Sequence, residues 1–134
     1  MIMIKDIKFP EVEDIAIAIV REHDGLDEYN AYVFNFREEN IKNVLITSTG
    51  YGVINDVKKK TSTLRHFFEE VESLDYKIIE PVSKEVFGIS NEYWISFTIN
   101  ETMYDKQFIF LPESIIESNF QMIPFIEKRG VIIK

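Results

Sequence analysis

The chain has 134 residues, 46% of them hydrophobic and 28% charged, a balance that fits one folded domain and excludes a disordered polymer. It contains no cysteine, which rules out disulfides, thiol nucleophiles and sulfur-ligated zinc. Its net charge of −8 argues against a general nucleic-acid or anionic-membrane binder.

Met1–Pro10 carries Lys5, Asp6 and Lys8 and has neither a long apolar run nor a small-residue cleavage site, so it does not read as a signal peptide. The longest apolar stretch, Ile15–Val20, falls far short of the roughly 20 residues a membrane span needs. A reducing cytoplasmic compartment is the expectation. IAIAIV over Ile15–Val20 puts Ile15, Ile17 and Ile19 on one strand face and Ala16, Ala18 and Val20 on the other. Both faces are apolar, which predicts a central strand. His23-Asp24-Gly25 supplies turn chemistry. Asn30–Arg37 alternates, with Tyr32, Phe34 and Phe36 opposite Ala31, Val33, Asn35 and Arg37. Glu38-Glu39-Asn40 reads as a turn, and Val44–Thr49 as a strand ending at Gly50-Tyr51-Gly52. Three strands with short links suggest an antiparallel meander.

The spacing of Leu64, Phe67, Phe68, Val71 and Leu74 predicts an amphipathic helix over Thr61–Leu74, capped by Thr61 or Ser62. Lys77–Val82 follows as a short strand in which Pro81 marks an edge or an end. Tyr93–Asn100 and Met103–Leu111 read as a hairpin around Asn100-Glu101-Thr102, with Tyr93, Ile95, Phe97 and Ile99 facing one way and Trp94, Ser96 and Thr98 the other. On the return strand Lys106 shares a face with Tyr104, Phe108 and Phe110. Pro112-Glu113-Ser114 opens a short helix over Ile115–Phe120, and Gly130 separates Arg129 from a last strand, Val131–Ile133. The order βββ-α-β-ββ-α-β predicts an α+β fold: a mainly antiparallel sheet with one principal amphipathic helix packed on it, in a single domain over residues 1–134.

Charge is uneven along the chain. Residues 41–66 hold five basic side chains and one acidic, net +4, between two segments that each carry −6. Lys58-Lys59-Lys60 precedes Thr61-Ser62-Thr63 and the expected helix start, with Arg65 beyond. Lysines, hydroxyls and free N–H groups at a helix N-terminus are the physics of an anion site. No strand–GxxxxGK[ST]–helix pattern is present, so this is not a P-loop. RNA contact through the same window runs against the overall charge. A second lead is Trp94 beside Ser96 and Thr98, whose exposure on a flat sheet face would mark a partner surface. His23 and His66 lack metal-ligand spacing, and pairs such as Glu38-Glu39 and Glu69-Glu70 sit in polar stretches where a solvated carboxylate makes a poor general acid.

The segments LITSTGYG (Leu45–Gly52), KKTSTLRHFFE (Lys59–Glu69), NEYWISF (Asn91–Phe97) and YDKQFIF (Tyr104–Phe110) resemble a family of small bacterial proteins with no established function, some labelled phenylalanyl-tRNA synthetase alpha subunit. A class II synthetase core requires a far larger catalytic domain with arginine-bearing ATP motifs, whereas this chain holds only Arg21, Arg37, Arg65 and Arg129. The resemblance therefore implies kinship and no functional residue. Aromatic-rich strands without a recognisable catalytic constellation point to a non-enzymatic binding or protein–protein interaction domain, expected to form a homodimer through a sheet edge or the aromatic sheet face. The alternative is a small anion or phosphoester-ligand protein or enzyme using Lys58–Thr63 and the helix N-terminus. Neither reading calls for a cofactor or a metal.

Overall fold

The computed structural model describes residues 12–134; the expectation for Met1–Pro10 lies outside them. In chain order the strands are β1 (Ile15–Arg21), β2 (Tyr29–Asn35), β3 (Ile41–Ile54), β4 (Val57–Lys60), β5 (Leu64–Val71), β6 (Asp75–Val82), β7 (Ser90–Ile99), β8 (Thr102–Phe110), β9 (Gln121–Ile123) and β10 (Lys128–Ile133). They form two antiparallel sheets. The first runs β6-β2-β1-β10-β9. The second runs β4-β3-β7-β8, with β5 pairing the other half of the same β3 edge as β4.

Period-two alternation explains where the core sits. Ile15, Ile17 and Ile19 of β1 and Ala31 and Val33 of β2 meet Ile46 of β3, Ile95 and Phe97 of β7, and Phe108 and Phe110 of β8 in one buried cluster between the sheets. Each fully buried large side chain of this kind contributes about 1.5–3 kcal/mol by leaving water. The opposite face of the first sheet holds a second cluster, in which Ala16, Ala18 and Val20 lie under Tyr32 and Phe34. Tyr32 stacks on Phe34 at 5.9 Å, and Phe34 on Phe36 at 5.6 Å. As its pattern predicts, β1 is buried on both faces and lies in the middle of its sheet. The β7–β8 hairpin also forms as read, with Asn100 (φ 49°) and Glu101 (φ 66°) in the left-handed conformations of a tight turn.

The expected α+β class is corrected: the fold is nearly all-β, and among the described residues no amphipathic helix packs on a sheet. The Thr61–Leu74 segment becomes β5 and the turn after it, and Ile115–Phe120 contains only a one-turn 3-10 element, Glu117–Asn119. The Phe67-Phe68 doublet fits either period, because one ring points each way in a strand. Phe68 packs toward the core and Phe67 outward. The long strand β3 decides the outcome. Its edge needs backbone partners, and β5 supplies them from Ile41↔Val71 to Ser48↔Leu64.

The meander is corrected as well. β2 pairs with β1 and β6, whereas β3 begins the second sheet. Nor does β3 stop at Gly50-Tyr51-Gly52. A Cβ on Gly52 would lie 2.9 Å from Ile89 Cγ2, so the glycine admits a close neighbour within a continuing strand.

Candidate binding surface and polar cavity

Cross-strand partners share a sheet face. On the outer face of the second sheet, Phe67, Leu45, Ser96 and Asp105 form one row, and Arg65, Thr47, Trp94 and Gln107 form the next. Phe67 is 60% exposed, Trp94 42% and Leu45 39%, so an apolar patch faces outward. Ser96 and Thr98 lie beside Trp94 on this face, and the Thr98 hydroxyl accepts from Asn43 Nδ2 at 3.1 Å. Along the β4–β5 side, Lys60 pairs with Tyr51 and Lys58 with Val53, which places both lysines on the face that carries Arg65. Glu92 and Asp105 lie toward β7 and β8. The face is apolar in the middle, basic on one side and acidic on the other.

The basic window is thus divided. Lys59 pairs with Gly52 and points to the opposite face from Lys58 and Lys60. Thr63 meets Thr49 through a 2.9 Å hydroxyl contact. Thr61 N–H donates to Gly50 O at 2.8 Å, and its hydroxyl accepts from Gly50 N–H at 2.7 Å. The helix N-terminus invoked for an anion site does not exist, because the chain is extended on both sides of Thr61–Thr63. Short, lysine-bearing edge strands commonly guard against sheet-to-sheet pairing, an ordinary role for Lys58–Lys60.

Thr61 and Ser62 instead line a cavity of about 220 Å³ between β6 of the first sheet and β3 and β7 of the second. Glu80 reaches into it from β6. Its side chain is 11% exposed. Oε1 accepts from the Ser48 hydroxyl at 2.7 Å and from His66 Nε2 at 2.7 Å, and Oε2 accepts from the Tyr93 hydroxyl at 3.3 Å. Burial first, and then the Glu80 charge, push the Tyr93 phenol well above its ordinary pKa. An ionised Glu80 can only accept, so His66 Nε2 carries the proton of their bond.

The sequence reading expected no such gathering of polar side chains. It was hidden because the four residues lie on four strands, and because the predicted helix turned His66 away from the sheet. The order of bonds is not that of a nucleophile relay. Ser48 gives its proton to the carboxylate rather than to the imidazole, so His66 is not its base. Among the described residues no three His, Asp or Glu side chains are grouped to hold a metal, and no helix is long and apolar enough to cross a membrane.

The chain matches no known protein-family model, and no curated protein is significantly similar to it.

Proposed function

We propose that this protein is a non-enzymatic interaction domain that pairs with a second copy of itself through the outer face of its second sheet. The observation that carries the reading is the exposed Phe67–Leu45–Trp94 patch, an apolar surface that a monomer would leave in water. Trp and Arg are the side chains that most often anchor interfaces, and Trp94 and Arg65 occupy the same row.

Two further features favour a face over an edge, and a like partner over an unlike one. Four of the five strands at sheet edges are blunted, the eight-residue β5 being the exception. β4 is short and carries three lysines, β6 contains Pro81, and β9 has three residues. β8 turns Lys106 inward, where Nζ reaches Val12 O at 3.3 Å and lies 5.0 Å from the Phe108 ring centre. Inward charges, prolines and short lengths are devices that discourage edge pairing. The face itself is self-complementary. Under a two-fold rotation the Lys58–Lys60–Arg65 side of one copy can meet the Glu92–Asp105 side of the other.

Sedimentation velocity tests this. The wild-type chain is expected to sediment as a dimer at micromolar concentration, and the Trp94→Ser/Phe67→Ser variant as a monomer with its unfolding midpoint nearly unchanged. A monomeric wild type contradicts the reading.

A further inference from the structure

The cavity beside Glu80 lies apart from the aromatic face and has a chemistry of its own. Glu80 is the carboxylate that enters it, because Glu92, although at its lining, belongs to the outward face that carries Trp94; no Lys or Arg lines it, so with His66 neutral its formal charge is negative. Leu64, Pro81, Val82 and Val86 give it an apolar wall, beside polar Ser48, Thr61, Ser62, Ser83 and Asn91. Within the site the two oxygens of Glu80 are not equally occupied. Among the described residues Oε1 takes two short bonds, whereas Oε2 takes only the long one from Tyr93. A carboxylate oxygen accepts about two hydrogen bonds, which leaves Oε2 able to take a charged donor. The hydroxyls of Ser48 and Tyr93 hold the carboxylate in place, so it need not be ordered on binding.

We infer that this cavity binds an alkylammonium group, with Glu80 Oε2 accepting from the ammonium and the apolar wall flanking its stem. The size limits the occupant. A volume of about 220 Å³ is below the roughly 300–1,000 Å³ of sites for drug-sized ligands, so a short amine fits and a nucleotide does not. A free small amine and the side chain of a lysine on a partner present the same chemistry. An anion is repelled by Glu80, and a neutral alcohol of equal length forgoes the charge-assisted bond.

The test is an amide NMR titration of the full chain with n-butylammonium, n-butanol and n-butyrate in turn, and with a short blocked peptide bearing one lysine. Butylammonium is expected to shift the amides of residues 48–50, 61–64, 80, 82 and 83 saturably, with butanol about tenfold weaker and butyrate inactive. Glu80→Gln keeps the shape and an acceptor but removes the charge, and should weaken butylammonium binding by about tenfold. Ser62→Phe, at an exposed position on the rim, should block binding without touching Glu80 and guards against a misfolded Glu80 variant. Saturable shifts from the peptide would assign the ammonium to a partner's lysine, and their absence alongside butylammonium binding would assign it to a free amine. Equal binding of butanol, equal binding by Glu80→Gln, or no saturable shift with any amine overturns the inference.

Discussion

Glu22, just beyond β1, is the most heavily bonded carboxylate outside the cavity. It accepts from Asn30 Nδ2 at 2.8 Å and from the Tyr32 hydroxyl at 2.7 Å, and Lys128 binds its second oxygen. Burial works to raise its pKa, but the bonds from Lys128, Asn30 and Tyr32 outweigh it and hold the carboxyl below its ordinary range. A depressed folded-state pKa contributes stability that is present above the unfolded value and is lost as pH falls through the folded one. Calorimetry of wild type and Glu22→Gln should therefore give two different slopes. At neutral pH the variant should be less stable by about 2 kcal/mol, the scale of hydrogen bonds to a charged group. Below about pH 4.5 the gap should close, because only the wild type then loses the Glu22 contribution. A gap that stays constant across the acid range would remove Glu22 from the account of acid stability.

Among the elements, β10 runs close against the backbone of β1 at Gly130. The sequence reading used Gly130 as a separator, yet it lies inside the strand, opposite Val20. A Cβ there would fall 2.2 Å from Ile19 O and 2.9 Å from Val20 Cα, and neither backbone atom can swing away. Gly130→Ala should thus lower stability by roughly 3 kcal/mol or more, measured by urea unfolding. An effect under about 0.5 kcal/mol, typical of an inconsequential surface site, would mean that β1 and β10 are not so closely apposed.

Some elements were legible because one period fitted and no other did. The two-sided apolar run of Ile15–Val20, the alternation of Tyr32, Phe34 and Phe36, and the hairpin with Lys106 turned inward all follow from alternation alone. β5 was not, since Leu64, Phe67, Phe68, Val71 and Leu74 fit a helix as sequence, and only the unpaired edge of β3 makes them a strand. A local signal did exist upstream. Asn55 (φ 51°) and Asp56 (φ 62°) form the two-residue turn between β3 and β4, and Asn-Asp is a pair that adopts left-handed turn conformations readily. Read as a hairpin turn, it would have made Lys58–Lys60 part of a strand and removed the helix N-terminus from the anion argument.

At the scale of the whole molecule, the two leads taken from the sequence converge in part on one surface. Lys58, Lys60 and Arg65 share the outer face of the second sheet with Trp94, while Lys59 and Thr61 point elsewhere. The exposure of Trp94 could not be read from alternation, which assigns a residue to a face but does not say whether another layer covers that face. The Ser48–His66–Glu80–Tyr93 cluster was illegible for a related reason. It joins two sheets whose packing no single segment encodes.

The proposed pairing would bury the outer face of the second sheet between two copies in solution. Trp94 is the only tryptophan in the chain, so its fluorescence reports on that face alone. Acrylamide quenching measured across a dilution series from high to low micromolar concentration tests the claim most directly. Emission should be blue-shifted and poorly quenched in the concentrated sample, then red-shifted and freely quenched on dilution. Quenching that is strong and identical at every concentration would contradict it.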